Sequence, residues 1–468
     1  MNVFDTIAAV STPRGKGGIA VIRISGADAV NVGEKVFFPK SGKNLSQLDV
    51  GHTVWGDIYA VDEEGNKIAV DDGMAVVFRA PRSFTGEDTV EISCHGGILV
   101  TETVLSAVLA AGARAAYPGE FTRRAFISGR MTLSQAKSLG DLLEAKTERQ
   151  MTMARAGVNG VLSRKIEELY GKIGDVLSSI YAKIDFPDED LADMSREEIT
   201  ESIEELFAQT RALAKTYRTG RAVNEGIRTV ICGRTNAGKS SLYNLIVGRE
   251  AAIVTDIEGT TRDLLEETAA FGKVTLRLCD TAGLRETSDK VESIGVERAR
   301  REMLGAELIL AVFDGTREPD AEDESFIKEL LSSGGCVIPI VNKIDELQDA
   351  KGGIFELLSS SEVGEAVLIS AKSGVGVENL KNAVEEKFTD GELDLRNDAI
   401  LSAASQYAAV SRAAEFLGAV SEAMKQGYEL DLCCIDAEAA MGALGEINGR
   451  NVNDDIVASI FSKFCVGK

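Results

Sequence analysis

Basic residues are scarce in this chain: 51 Lys and Arg stand against 74 Asp and Glu, a formal net charge of −23 over 468 residues. Phosphate backbones are held by clustered Lys and Arg, so this balance argues against a general nucleic-acid binder. Any RNA contact has to be local, or supplied mainly by a positively charged partner. Long apolar runs are also missing. No stretch reaches the roughly 20 residues that a membrane-spanning helix needs, and Met1-Asn2-Val3-Phe4-Asp5 carries no secretory signal pattern. Seven cysteines, an odd number without CxxC spacing, argue against a disulfide framework or a structural zinc site. A cytoplasmic chain is the expectation. Histidine occurs twice, as His52 and His95, neither with a paired ligand nearby, so a packing or hydrogen-bonding role is expected for both. Cys433-Cys434 lie in an apolar segment and read as core.

What is present centres on Gly233-Arg234-Thr235-Asn236-Ala237-Gly238-Lys239-Ser240. An apolar run, Ile227 to Cys232, precedes it and reads as a buried strand. Ser241-Leu242-Tyr243-Asn244-Leu245-Ile246 follows and reads as the first turns of a helix. Strand, glycine-rich loop and helix make up the context of a P-loop. Its glycines let successive N–H groups face one anion, and the helix N-terminus adds its dipole. Lys239 then reaches the β- and γ-phosphates, and the Ser240 hydroxyl is placed to ligate Mg²⁺.

Three later stretches make the nucleotide specific. Asp280-Thr281-Ala282-Gly283 follows the strand-like Val274 to Cys279; its Asp suits the Mg²⁺ shell and its Gly the γ-phosphate. Asn342-Lys343-Ile344-Asp345 follows Cys336 to Val341, and a carboxylate there accepts the paired N–H groups of guanine, which adenine does not offer. Ser370-Ala371-Lys372 follows Ala366 to Ile369 and supplies backbone to the guanine oxygen. The site reads GTP rather than ATP.

Before this segment, residues 1 to about 127 show mixed strands and helices. Strands are expected at Ile19–Ile24, Val54–Val61, Gly73–Phe78 and Thr89–Ser93, and a helix at Ile98–Ala111 ended by Gly112. Arg14-Gly15-Lys16-Gly17-Gly18 and His95-Gly96-Gly97 are glycine-rich; either could cradle an anion, although a plain turn is the commoner meaning. From Met131 the period becomes helical, with stripes at Leu133, Ala136, Leu139, Leu142 and Leu143, at Leu162 to Ile180, and at Ile199 to Leu213, where polar Thr210 falls on the apolar face. Asp185-Phe186-Pro187-Asp188-Glu189-Asp190 reads as a turn between the last two. Helical stripes return at Ile400 to Met424 and at Ile456, Ile460 and Phe464. The segment after the GTPase is small for an independent core, so the helical parts before and after it are expected to pack together around an inserted GTPase.

The residue after Asp280-Thr281-Ala282-Gly283 is Leu284, which cannot orient a water as the Gln of Ras-like enzymes does. No arginine finger follows from spacing, although Arg262 and Arg285 lie near in sequence. Asn236 and the oxygens of Thr255-Asp256-Ile257-Glu258-Gly259-Thr260-Thr261 could hold a monovalent cation, with Thr261 completing the Mg²⁺ shell. An ordinary switch loop with Thr261 as its single ligand fits the spacing equally well.

Taken together, the sequence resembles the tRNA modification GTPase MnmE (TrmE) family over essentially the whole chain. The marks are the terminal Phe464-Cys465-Val466-Gly467-Lys468, Gly259-Thr260-Thr261-Arg262-Asp263, Pro118-Gly119-Glu120-Phe121-Thr122 with Arg124-Ala125-Phe126, and Asp185-Phe186-Pro187. The resemblance implies an α/β and all-α multidomain protein. Residues 1–127 would form an α+β folate-binding and dimerisation domain, 128–222 and 389–468 the two parts of a helical domain, and 223–388 an inserted Ras-like P-loop GTPase. It implies a 5-formyl- or methylene-tetrahydrofolate held by Arg23, Glu91, Arg130 and Lys468, since Arg and Lys suit the glutamate carboxylates and Glu91 the pterin N–H donors. It implies K⁺ at Asn236, Thr255, Ile257 (through its backbone) and Thr260, Mg²⁺ at Ser240 and Thr261, and Glu292 as the residue that places the attacking water. Ser241, Asp256, Glu258 and Gly259 join the GTP-binding set. Cys465 matches a C-terminal cysteine with a candidate role in the chemistry, a buried structural cysteine being an equal reading. The family acts as a homodimer with the FAD-containing partner MnmG, in a heterotetramer or larger complex, on the wobble uridine of certain tRNAs. It adds an aminomethyl or carboxymethylaminomethyl group at C5. Competing readings are a ribosome-assembly GTPase, which would show ribosome association and no folate binding, and a dynamin-like scaffold in which no modification follows.

Overall fold

The computed structural model describes residues 5–62, 64–186, 194–249, 267–279, 302–347 and 353–450, with 457, 460–462, 464 and 467. The chain divides into two compact units, Met1–Gly140 with Gly445–Lys468, and Asp141–Leu444.

In the first unit, strands that alternate apolar and polar residues build a sheet with its main core on one face and a smaller cluster of Ile7, Ala9, Ala116 and Phe121 on the other. Its elements in chain order are β1 (Ile7–Val10), β2 (Ile19–Ser25), α1 (Ala29–Val36), β3 (Phe37–Pro39), β4 (Thr53–Val61), β5 (Lys67–Phe78), β6 (Thr89–His95), α2 (Ile98–Ala110), β7 (Arg114–Ala115), α3 (Glu120–Ile127) and α4 (Leu133–Glu144). The strand order is β3-β4-β5-β6-β2-β1-β7, antiparallel except for β1 with β7. Along β2, Ala20, Ile22 and Ile24 turn inward, and along β6 so do Val90, Ile92 and Cys94; they join α1 and α2 residues such as Val32, Val104 and Val108 in one core. The period of two therefore sends Arg23 and Glu91 to the opposite face, where they are direct cross-strand partners.

β5 starts six residues before the expected Gly73. Its early half, Lys67–Asp72, pairs with β4 alone, and pairing to β6 begins at Met74. In this half Asp71 accepts hydrogen bonds from the His95 backbone and ring, both at 2.8 Å. The two glycine-rich stretches are turns that lie on each other: Gly17 N donates to Gly96 O and Gly96 N to Gly18 O. A Cβ at Gly96 would stand 2.6 Å from Gly17 O, so this close approach requires glycine.

α3 inverts the usual pattern by turning charge inward. The Arg124 side chain is 3% exposed. It donates to the Asp5 carbonyl and carboxylate at 2.7 Å, to Glu120 at 3.1 Å and to Glu87 at 3.2 Å. Arg114 also donates to Asp5 and Glu120, both at 2.7 Å. This network ties the start of the chain, α3 and the loop after β5 into one piece.

The second unit joins long helices to a parallel sheet. Its elements are α5 (Glu148–Val158), α6 (Val161–Asp185), α7 (Arg196–Asn224), β8 (Ile227–Gly233), α8 (Lys239–Arg249), β9 (Glu267–Phe271), β10 (Val274–Leu278), β11 (Leu308–Asp314), α9 (Ala321–Leu331), β12 (Cys336–Asn342), α10 (Ile354–Ser359), β13 (Val367–Leu368), α11 (Val377–Phe388), α12 (Ala404–Lys425) and α13 (Leu430–Asn448). The stripe Leu162, Ile166, Leu169, Ile173, Leu177 and Ile180 is buried along α6. α7 packs along α12, where Tyr217 stacks on Tyr407 with ring centroids 4.6 Å apart. Thr210 on α7 is fully buried, and its hydroxyl has no partner among the described residues. Cys433 and Cys434 are buried in α13. The sheet runs β13-β12-β11-β8-β10-β9, parallel but for the edge strand β9. β11 is buried from Leu308 to Phe313, the pattern of a strand covered on both faces. Two separate cores lie against the sheet.

Replacing Arg124 with Met is expected to lower the stability of the first unit by about 3–5 kcal/mol, because buried carboxylates lose their cation. Fluorescence of Trp55, the chain's single tryptophan, placed on β4, reads the loss during denaturation. A pH dependence follows. Hydrogen bonding from Arg114 holds Asp5 below the usual carboxylate range. Burial raises the Glu120 carboxyl, but the Arg114 hydrogen bond and its other partners outweigh this and leave it lowered. Groups with depressed pKa stabilise the fold above their unfolded values of about 4 and lose that contribution as pH falls through the folded values. The native midpoint should therefore fall on acidification below about pH 4, and less steeply in Arg124→Met.

Candidate nucleotide site and a second cavity

The nucleotide site forms where the strand order reverses. β8 lies between β10 and β11, so the chain leaves β8 on one side and returns to the sheet on the other, the switch point at which open α/β sheets bind ligands. Loops after β8, β12 and β13 carry three of the sequence motifs.

The loop after β8 is built from unusual backbone. Asn236 has φ +64°, and Gly238 has φ +99°. A Cβ on Gly238 would stand 1.9 Å from Asn342 Nδ2, so glycine is required twice over. Lys239, the first residue of α8, folds back over the loop and donates to the Gly233 and Arg234 carbonyls, both at 2.8 Å. Burial lowers its pKa. The loop thus presents an ammonium amid backbone amides at a helix N-terminus, an arrangement that takes up phosphate. Thr235, Asn236, Ser240 and Ser241 are exposed or half-buried, and Ala237 is buried beneath them. Arg234 is anchored outward to Asp320 at 2.6 Å and to the fully buried Asp323 at 3.4 Å, at the N-terminus of α9.

Asn342 joins the three loops. It is 2% exposed, its Nδ2 donates to Ala237 O at 2.9 Å, and its Oδ1 accepts from Ala371 N at 2.9 Å. The next residue, Lys343, has φ +66° and reaches Asp314 Oδ2 at 2.6 Å, at the end of β11. Burial raises the Asp314 carboxyl, yet Lys343 and Thr316 outweigh it and leave it lowered. Asp345 is exposed, and a hydrogen bond from the Ser370 hydroxyl holds its carboxyl below the usual range. Ser370 itself is fully buried, while Lys372 is exposed. An ionised, solvent-facing carboxylate beside this loop has the chemistry to accept paired N–H donors such as those of a guanine.

In the first unit, Arg23 Nε donates to Glu91 Oε1 at 2.8 Å, and the Arg23 guanidinium lies over the Phe84 and Phe121 rings at 5.1 and 5.6 Å. Glu91 and Arg130 line a cavity of ≈ 350 Å³ with Phe78, Arg82, Ser83, Phe84 and Thr89. Arg82, Ser83 and Phe84 carry no motif and were not singled out by sequence; they reach the cavity because the loop between β5 and β6 folds over it. Arg23, Glu91 and Arg130 are thus brought together. Thr255, Asp256, Ile257, Glu258, Gly259, Thr260, Thr261, Asp280, Thr281, Ala282, Gly283, Glu292, Cys465 and Lys468 lie outside the described residues. No helix among the described residues is long and apolar enough to cross a membrane.

Residues 6–130 match the family described as GTP-binding protein TrmE N-terminus, and residues 133–465 match the MnmE helical domain. The tRNA modification GTPase MnmE of Thermoanaerobacter pseudethanolicus is 39% identical over 469 residues, covering 100% of both chains. The proteins of that name from Listeria welshimeri and Ligilactobacillus salivarius are 40% and 41% identical, covering 99% of this chain and 100% and 98% of their own. Among solved structures, a point variant of Aquifex aeolicus Era bound to GDP·AlF4⁻ is 24% identical with a TM-score of 0.28, covering 41% of this chain and 66% of that one. A likeness of that size adds nothing to the family assignment.

Exchanging Asp345 for Asn puts an amide donor where the guanine donors need an acceptor. GTP affinity should fall by at least ~10²-fold while xanthosine triphosphate, which presents an acceptor there, gains. Competition between the two nucleotides for a fluorescent analogue measures this, and an unaltered preference for GTP would remove Asp345 from guanine recognition.

Proposed function

The chain belongs to the tRNA modification GTPase MnmE family, and from that premise we propose that it is a K⁺-activated GTPase working in a folate-dependent modification of the tRNA wobble uridine at C5. GTP hydrolysis would drive conformational change in a complex with the FAD-containing MnmG, the product bearing an aminomethyl or carboxymethylaminomethyl group. The observation that carries the reading is the presence in one chain of two sites of different chemistry. One is the glycine-rich loop after β8, tied through Asn342 to the loop of Ala371 beside the exposed Asp345 carboxylate; the other is a ring-lined cavity with a carboxylate and guanidinium groups.

The residues fit the groups the family uses. For a tetrahydrofolate, Glu91 has one oxygen engaged by Arg23 and the other without a contact from a described residue, leaving an acceptor for paired pterin N–H donors. Phe78 and Phe84 offer apolar surface to a ring, and Arg130 a cation for glutamate carboxylates, with Lys468 as a further one. For Mg²⁺, the Ser240 hydroxyl is a hard oxygen donor at the start of α8, to be completed by Thr261. For K⁺, Asn236 holds an exposed amide beside the phosphate-binding backbone, with Thr255, Ile257 and Thr260 as further oxygens. The bound cation supplies positive charge to the transition state, as an arginine finger does elsewhere. Lys239 binds phosphate oxygens, and Glu292 orients the attacking water. Chain boundaries near 127, 222 and 388 separate the folate-binding, helical and GTPase parts, and the protein acts as a homodimer in the cytoplasm. The negative charge of the chain agrees with a partner that provides most of the tRNA contact.

Steady-state GTP hydrolysis in K⁺ against Na⁺ at equal ionic strength tests the cation. The native chain should run about tenfold or more faster in K⁺, a part of the 10³–10⁵ that a finger provides, and Asn236→Ala should lose the difference. Equal rates in the two salts would reject it and turn attention to Arg262 and Arg285.

A further inference from the structure

The cavity of the first unit has a polar atom that the folate reading leaves unassigned. Ser83 lines it and is 5% exposed, yet its Oγ has no hydrogen-bond partner among the described residues. Buried hydroxyls are almost always paired. The neighbours of Ser83 in the loop are. Asp88 accepts from Arg79 Nη1 at 2.8 Å and from Ala80 N at 2.9 Å, closing the loop on itself. Thr85 shares a hydrogen bond with Ser25 at 2.7 Å, and its carbonyl accepts from Ser128 Oγ at 2.6 Å. Glu87 accepts from Ser25 at 2.7 Å and from Arg124 at 3.2 Å. The loop is pinned on its far side by the buried Arg124 network, so Ser83 gains no internal partner without breaking these bonds.

The other polar groups lining the cavity define what the hydroxyl is for. Glu91 only accepts hydrogen bonds, and Arg82 and Arg130 are charged donors. Thr89 is occupied, through the Glu87 carbonyl at 3.3 Å and Thr85 at 3.4 Å. Ser83 is left as the neutral donor with capacity to spare. A 2-amino-4-oxo pterin presents N–H donors directly beside a carbonyl acceptor, so one edge needs both an acceptor-only group and a neutral donor. We infer that Ser83 is a ligand-binding residue of this cavity, its hydroxyl donating to the pterin carbonyl next to the N–H pair that Glu91 accepts. The inference rests on the folate reading of the cavity and adds a contact to it.

The test is calorimetric titration of 5-formyl-tetrahydrofolate into the full chain, native and as Ser83→Ala and Ser83→Cys, with ligand-free thermal midpoints read from Trp55. A lost contact of this kind lowers affinity by roughly tenfold, and removing an unpaired buried hydroxyl leaves the ligand-free midpoint unchanged or raised. Both variants should show that combination, the Cys variant because a thiol at the same place is only a weak donor. Native affinity in both variants overturns the assignment, and so does a weakening that merely follows a lowered ligand-free midpoint, which marks a structural role. Failure of the native chain to bind the folate is a separate result: it overturns the folate reading and removes the ligand from Ser83 with it.

Discussion

The nucleotide site depends on one buried side chain. Asn342 holds the Ala237 carbonyl of the phosphate loop with its amide nitrogen and the Ala371 amide of the base loop with its amide oxygen. A carboxamide is suited to this because it donates and accepts in one plane; Asp would repel the Ala237 carbonyl and Leu would leave two buried backbone groups unpaired. The constraint reaches into the loop itself. Gly238 has to be glycine because the Asn342 amide stands where a Cβ would be, and Lys343 takes a left-handed backbone immediately after it. The loops after β8, β12 and β13 are therefore one mechanical unit.

The first unit uses charge in a comparable way. Arg124 and Arg114 neutralise Asp5, Glu120 and Glu87 under the loop that carries Arg82, Ser83 and Phe84. Ions at such burial are weak contributors to net stability but strict about geometry. Here they fix the wall of a cavity in which one buried lining hydroxyl, that of Ser83, is left without a partner among the described residues. A fixed wall with a donor to spare is what a preorganised binding site requires.

How far these features were legible in the sequence depended on whether chemistry and spacing coincided. Gly233 to Ser240, Asn342 to Asp345 and Ser370 to Lys372 were readable because each is a contiguous run whose residue types the phosphates and base demand. Arg23 and Glu91 are 68 residues apart in sequence and meet through antiparallel pairing of β2 with β6, which no local spacing encodes; they came into view through the family resemblance. α3 was illegible to periodicity because Glu120, Thr122 and Arg124 are buried alongside Phe121 and Ala125, so its buried face mixes polar and apolar residues. α13 hid for a different reason: Ala437, Ala440 and Ala443 on its buried face give little contrast with the rest. β11 carries no motif, and a plain apolar run does not distinguish strand from helix. Ser83 could not be found at all without the fold, since only the pairing of its neighbours makes its hydroxyl exceptional.

The central claim is that GTP hydrolysis at the Asn342-bridged site serves tRNA modification. The most direct measurement is nucleoside analysis of bulk tRNA from a strain lacking this gene, carrying either the native chain or Lys239→Ala. The native chain should restore the C5-substituted wobble uridine, and Lys239→Ala should leave it absent although the protein accumulates normally. Unaltered modification in the deleted strain, or full restoration by Lys239→Ala, would contradict the account.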